Sequence, residues 1–136
     1  MLQTVLNDKK GLTLVEVVIA LLVLLIVFLG LMQTALFSID ANMINVLRDE
    51  AVSMAEERMS EARNIPFDSL SAGTTDVSPP PRSLRNIPNY AYSVMRTVSS
   101  AGTDAMRVDI TVTWEWKEKT GANAYTHTIS TIVRRR

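Results

Sequence analysis

One acidic side chain, Glu16, stands at the start of the most apolar part of this chain. The stretch KKGLTLVEVVIALLVLL, residues 9–25, contains no other charge after Lys10. A charged side chain inside a bilayer costs about 2.5–3.5 kcal/mol on insertion scales. The positions one helical turn further on, Ile19 and Ala20, offer no cation. Glu16 must therefore either reach back to the polar edge of the membrane or meet a positive partner from outside its own helix.

The other residue types do not combine into a catalytic or metal-binding arrangement. The chain of 136 residues has no cysteine and a single histidine, His127, which stands between two threonines. Zinc sites are usually built from four such ligands, and Asp104 and Asp109 do not have the spacing of a calcium loop. We therefore expect no enzymatic activity, no cofactor and no metal ion, and we interpret His127 as a strand residue.

Charge and aromatic residues suggest two further binding surfaces, and we favour neither. Basic and acidic side chains balance at 14 each, so net charge gives no general attraction to nucleic acid. The terminal residues Arg134, Arg135 and Arg136 could form a basic patch with Arg82 and Arg85, but a solvated tail is the preferred interpretation, so a nucleic-acid partner is not expected. Two tryptophans at positions 114 and 116 share one strand face, where a core role is favoured over a stacking platform.

The apolar run is long enough to cross a membrane. Residues 17–39 carry no charge, and their 23 positions exceed the roughly 20 apolar residues that a spanning helix needs. A buried soluble helix of this length would need a larger core than the rest of the chain can supply, and the run is longer than that of a cleavable secretory peptide. Lys9 and Lys10 precede it, which predicts that the N-terminus lies on the cytoplasmic side and the C-terminal part outside.

These residues together resemble the N-terminal signature of type IV pilins and of the related pseudopilins of type II secretion. The resemblance rests on the basic pair before Gly11, on Leu12 as the following residue, and on Thr13 and Glu16 in register with them. It implies a leader that ends at Gly11, cleavage by a prepilin peptidase between Gly11 and Leu12, and N-methylation of Leu12.

The resemblance also implies a partner for Glu16. In this family the glutamate is thought to pair with the N-terminal ammonium of a neighbouring subunit during assembly, so cleavage would create the missing cation. Thr13 occupies the position of the family's usual threonine. The partners implied are other pilin or pseudopilin subunits, the peptidase/methyltransferase and the inner membrane.

Two departures from the family pattern bear on the subgroup. Most members have phenylalanine where this chain has Leu12, and major pilins carry a helix-kinking proline where this chain has Gln33. The second departure is more similar to a minor pilin than to a major one. Residues 43–70 resemble minor pilins called type IV pilus modification proteins, and equally the I-type minor pseudopilins.

The helix is expected to continue beyond the membrane as an amphipathic segment, residues 41–65, which Pro66 ends. Small and apolar residues recur along one face with spacings of three and four: Ala51, Ala55, Met59 and Ala62. We expect this stripe to pack on the chain's own sheet, with subunit contacts as the alternative. The membrane half, residues 12–40, has no domain of its own to pack on, and Gly30 is a candidate position for a bend.

The remainder is divided into a connector and a sheet. Residues 66–89 are rich in Ser and Pro and are expected to form a surface loop around Pro79-Pro80-Pro81. Residues 90–136 contain three β-rich segments, 90–98, 106–116 and 125–133, separated by glycine-containing turns. The predicted fold is α+β and pilin-like: a long N-terminal transmembrane helix packed on a small three-stranded antiparallel sheet, after a leader at residues 1–11.

The sequence thus predicts a non-enzymatic minor pilin-like subunit that is assembled through its apolar helix into a type IV pilus or its initiating tip complex. A minor pseudopilin of type II secretion is the alternative within the family. Outside the family, the alternatives are a single-pass membrane-anchored binding domain and a DNA-uptake receptor.

Overall fold

The computed structural model describes residues 13–85 and 87–135 of the chain. One long helix, α1, occupies Leu14–Arg63. Its interior has no proline and a single glycine, Gly30, so nothing in the sequence forces a break. After Arg63 the backbone N–H groups of Asn64 and Ile65 bond to the carbonyl groups three residues earlier, a tightened last turn directly before Pro66.

The chain separates into two compact units, the first ending at Ala41 and the second spanning Asn42–Arg136. The first unit contributes the apolar part of α1. The second contains the rest of α1 and every strand, so its fold can be described by itself.

The second unit holds a four-stranded antiparallel sheet and a separate two-stranded one. The larger sheet has the order β1-β4-β5-β6, and the smaller pairs β2 with β3. The strands are β1 Gly73–Asp76, β2 Arg82–Leu84, β3 Ile87–Tyr90, β4 Ser93–Gly102, β5 Ala105–Trp114 and β6 Tyr125–Arg134. Short 3-10 helices lie at Phe67–Ser69 and Gly121–Asn123.

The predicted class is confirmed, but the prediction of three strands is wrong. The fourth strand, β1, comes from the connector that we expected to be a loop throughout, and it pairs with β4 from Gly73 opposite Val98 to Asp76 opposite Met95. Strands β2 and β3 also fall mainly in this connector. All four residues of β1 are exposed, so no alternation of apolar and polar side chains marked it as a strand.

The central hairpin is longer than predicted at one end and shorter at the other. Strand β4 continues through the expected turn to Gly102, which leaves only Thr103 and Asp104 between β4 and β5. Strand β5 ends at Trp114, so Trp116 lies beyond it and forms an isolated bridge with Lys119. The alternation within β5 is as predicted: Val108, Ile110, Val112 and Trp114 are all buried.

The core lies between one face of α1 and the larger sheet. The helix contributes six buried residues, Leu47, Ala51, Met54, Ala55, Met59 and Ala62. The expectation that this stripe packs on the chain's own sheet is confirmed, because these residues share one cluster with buried residues of β4 and β5. Three of the six are alanines, which occupy little space between the helix and the sheet.

Tyr92 ties the helix to the sheet. Its ring is 4% exposed and lies beside Trp114, with 6.3 Å between ring centroids. Its hydroxyl donates a hydrogen bond of 3.1 Å to the carbonyl oxygen of Leu47. That oxygen accepts within a continuous helix, so the bond adds a second donor to a carbonyl that has two lone pairs.

Core packing should dominate the stability of the second unit. Ile110 is fully buried on β5, whereas Ile132 on β6 is 59% exposed. We expect Ile110→Ala to lower the free energy of unfolding by about 2–5 kcal/mol, because it removes buried methyl groups and leaves a cavity. The same substitution at Ile132 should change it by about 0.5 kcal/mol or less.

The measurement is urea unfolding of the full chain in detergent micelles, followed by tryptophan emission. Both tryptophans, Trp114 and Trp116, lie in the second unit, so the signal reports on that unit. Equal losses for the two variants would contradict the assignment of the core.

Candidate assembly site on the apolar helix

The start of α1 is closed by a pair of reciprocal contacts between Thr13 and Glu16. The backbone N–H of Glu16 donates to the Thr13 hydroxyl oxygen at 3.2 Å. The backbone N–H of Thr13 points to the Glu16 carboxylate at 3.5 Å, a longer and weaker contact. The Thr13 carbonyl accepts the first helical bond, from Val17 at 3.1 Å. This is a capping box, in which side chains three residues apart satisfy amide groups that have no partner inside the helix.

The capping box changes the account of Glu16. The sequence offers no cation for its carboxylate one helical turn further on, at Ile19 or Ala20. The structure instead brings the carboxylate to the amide of Thr13, near the positive end of the helix dipole. The signal was present in the sequence, because threonine followed three residues later by glutamate before an apolar run is the signature of this cap. The Glu16 carboxylate can therefore cap the first turn of α1 and still have an oxygen lone pair for a further cation.

The four residues predicted for the leader charge and the cleavage site, Lys9, Lys10, Gly11 and Leu12, lie outside the described residues. Their roles stay predictions. Thr13 and Glu16 are thus the members of the predicted site that the structure describes, and it places them in contact.

The apolar part of α1 is exposed along its length. Leu14 is 82% exposed, Phe28 63% and Phe37 78%. Within the described residues, α1 is the one helix that is long and apolar enough to cross a membrane. Its most apolar stretch is not buried by the described part of the chain. Apolar surface on this scale marks a membrane or protein contact rather than a solvated surface.

Gly30 lies within this segment without interrupting the helix. A Cβ atom added there would meet nothing within 4 Å among the described residues. The Thr34 hydroxyl donates to the Gly30 carbonyl at 3.0 Å, so this polar side chain is satisfied by its own helix. Such bonding toward the preceding turn lets threonine stand in an apolar segment, and it often bends a helix slightly.

Several surface arginines of the second unit pair with acids. Arg82 pairs with Glu50 at 3.0 Å and approaches Glu57 at 3.9 Å, which fastens the connector to α1. Arg58 pairs with Glu61 along the helix at 2.7 Å.

Of the C-terminal arginines, Arg135 makes surface contacts, although its side chain remains 56% exposed. Its guanidinium pairs with Asp68 and lies 3.9 Å from Asp104. It also sits 5.1 Å from the centroid of the Phe67 ring. Arg82 and Arg135 therefore each face an acid of their own chain.

Polar groups on the strands are held by local bonds rather than poised for chemistry. The hydrogen bond from Ser130 lowers the pKa of Asp109, and the hydrogen bond and charge of Arg107 lower it further. Burial raises the pKa of Tyr90 to about 12, and the negative charge of Glu115 acts in the same direction. The Tyr90 hydroxyl donates to the carbonyl oxygen of Glu115. These groups keep one protonation state over the physiological range.

Trp114, Trp116 and His127, which the sequence singled out, all lie in the second unit. Trp114 is 4% exposed, and Trp116 packs partly buried against the core, so the core interpretation is confirmed. Trp114 stacks on Tyr125 with 5.6 Å between centroids. His127 is a half-buried residue of β6, as expected. No group of three or more metal-ligating side chains occurs among the described residues.

Comparison with known proteins identifies the N-terminal segment. Residues 6–32 match the family model described as the prokaryotic N-terminal methylation motif. This motif is the prepilin signal of type IV pilin-like proteins, and the match includes the predicted cleavage position, Thr13 and Glu16. The chain therefore carries the signal of a type IV pilin-like or pseudopilin-like precursor.

The motif implies processing by a prepilin peptidase and assembly with pilin subunits in general. No curated protein matches the chain, and no solved structure does.

The capping box makes a prediction about local order. Thr13→Ala should remove about 1 kcal/mol of stabilisation at the first turn of α1, because the Glu16 amide loses its acceptor. We expect hydrogen exchange of that amide in detergent micelles to become about fivefold faster, whereas Thr13→Ser should retain the wild-type rate. Exchange at Val94, in the core of the second unit, should be the same in all three proteins. An unchanged rate in Thr13→Ala would contradict the cap.

Proposed function

We propose that the chain is a minor pilin-like subunit, non-enzymatic, that is processed after Gly11 and assembled through the apolar half of α1 into a type IV pilus or its initiating tip complex. The observation that carries the proposal is the exposed apolar surface of α1, which begins directly at a capped helix start inside the methylation motif. This surface has no partner among the described residues of its own chain, so it needs lipid or other helices.

The apolar surface can serve both states of such a subunit. In the membrane, it is covered by hydrocarbon, and the basic pair of the leader holds the N-terminus on the cytoplasmic side. In a filament, helices of neighbouring subunits would cover it instead, and the sheet-bearing units would face outward. Association of apolar helices out of lipid depends on packing and specific polar contacts, because lipid is as apolar as the helix faces.

Glu16 would supply the specific polar contact. Its carboxylate stands at the helix start, where cleavage after Gly11 would place an ammonium group one residue before Thr13. A neighbouring subunit's ammonium can pair with Glu16, and the attraction between the two charges offsets the cost of removing both from water. Removing one member of such a buried pair is far more damaging than replacing both.

A type II secretion minor pseudopilin is the alternative within the same class. The motif and the exposed helix support it equally, and the difference lies in the filament that the subunit joins: a surface fibre or a short periplasmic one. A single-pass anchored binding domain is the second alternative. It would keep its leader and remain outside any filament.

Processing is tested first by the intact mass and N-terminal sequence of the protein purified from native membranes. We expect a chain that begins with N-methylated Leu12. A Gly11→Arg variant should keep its leader, because the bulky charged side chain replaces the glycine at the cleavage position, and a variant with Asn7→Gln in the same leader should be processed normally. A wild-type chain that still begins at Met1, in cells with an active peptidase, would instead support the anchored binding domain.

The role of Glu16 is tested with two substitutions that separate charge from capping. Glu16→Ala removes both, whereas Glu16→Gln keeps a side-chain acceptor for the Thr13 amide but carries no charge. We expect both variants to enter the membrane like the wild type and to be depleted from sheared or isolated filaments by about tenfold or more, as expected for an unpaired buried ammonium. Normal incorporation of Glu16→Gln would show that capping, not charge pairing, is the function of this residue.

A further inference from the structure

A small recess lies entirely within the second unit, at the beginning of β6. Its volume is about 260 Å³. One wall is the first part of α1 in that unit, which presents Asn45 and Arg48. The opposite wall is formed by Trp114 at the end of β5 and by Tyr125 and His127 of β6. The rings of Trp114 and Tyr125 stack with 16° between their planes.

Two buried nitrogen atoms of residues that line the recess have no hydrogen-bond partner among the described residues. They are the indole Nε1 of Trp114 and the imidazole Nε2 of His127. Trp114 is 4% exposed, so its N–H is withdrawn from bulk water. More than nine in ten buried polar groups in native proteins are paired, and one without a partner indicates a water or ligand that completes it. Here both unpaired atoms belong to residues of one recess.

The charge of the lining indicates which ligand fits. Arg48 contributes a guanidinium and forms no ion pair with the described residues, in contrast to Arg82 and Arg135. No acid lines the recess. The indole and the guanidinium can only donate, and the imidazole donates as well when it is protonated. Arg48 and Asn45 are exposed, so their side chains can turn aside to admit an anion.

We infer that this recess binds a phosphate group. The oxygens of a phosphate carry several acceptor lone pairs, so the planar guanidinium can bind two oxygens while the indole N–H donates to a remaining lone pair. The stacked rings of Trp114 and Tyr125 provide an apolar wall for the carbon atoms of a phosphate ester. Phosphate recognition by this recess goes beyond assembly through the apolar helix.

A phospholipid headgroup is the source that the position of the recess favours. Arg48 follows Ile39, the end of the uncharged run, by nine residues. Arg48 is the first basic residue after that run, so it is the cation of the second unit that lies nearest in sequence to the membrane segment. This choice of source rests on the membrane anchoring in the proposed function, whereas phosphate binding itself does not.

The experiment uses the full chain in micelles of a phosphate-free maltoside detergent. The probes are glycerophosphoglycerol, which is a headgroup diester without acyl chains, and inorganic phosphate, with acetate as a carboxylate control. The indole N–H resonances of the two tryptophans report binding, and Trp116→Phe assigns the signal of Trp114. We expect a saturable downfield shift of the Trp114 signal with the diester. Arg48→Gln should weaken the apparent affinity at least tenfold, and Arg134→Gln, a matched change at the far end of β6, should leave it unchanged.

Each outcome decides one point. A shift with the diester alone supports the lipid headgroup, and a shift with inorganic phosphate alone supports phosphate binding but overturns the lipid source. No shift, an equal response to acetate, or an affinity unaffected by Arg48→Gln overturns the inference. The titration requires neither cleavage nor a bilayer. If it fails while the protein is processed normally and fractionates with membranes, phosphate binding by the recess is rejected and the proposed function stands.

Discussion

The structure depends on an apolar helix surface that its own chain does not cover. From Leu14 to Ile39 the large side chains of α1 stand exposed, and nothing in the described residues packs against them. At about 25 cal/mol per Å² of apolar area, such a surface is strongly unfavourable in water, and it must be placed in lipid or against other helices. The rest of the chain is organised by this constraint. The first amide groups of the helix must be satisfied by nearby side chains, because lipid offers no hydrogen-bond partner. The second half of the helix must bury its apolar face against the sheet.

The second unit satisfies that requirement by using the helix as one layer of a two-layer core. Leu47 and Met54 are buried together with three alanines of the same helix face, and the Tyr92 hydroxyl donates a hydrogen bond to the carbonyl oxygen of Leu47. The same helix is thus exposed along one part of the chain and buried on one face along the next. A small domain without disulfides gains most of its core in this way, because the sheet alone would leave one apolar face uncovered.

Sequence reasoning captured the features that depend on periodicity and on local motifs. The period of two in β5, the alanine stripe of α1 and the helix end before Pro66 were all readable, because each reflects neighbours a few residues apart. The capping box is also a local pattern, because Thr13 and Glu16 are three residues apart. Strand β1 has no such pattern: its four exposed residues form a strand only because β4 offers an edge to pair with. The pair Arg82–Glu50 joins residues 32 positions apart, and the recess beside His127 joins three elements, so neither leaves a local pattern.

The way α1 is seated in the second unit has a mechanical consequence. Its buried residues run from Leu47 to Ala62, about four turns of helix lying along the sheet. Tension applied along α1 from its N-terminal side would load all of these contacts at once, so the helix would have to slide past the sheet as a whole. A helix held only at its tip would instead peel away one contact at a time. Because the contacts share the load, α1 can transmit an axial pull to the sheet while the sheet stays folded.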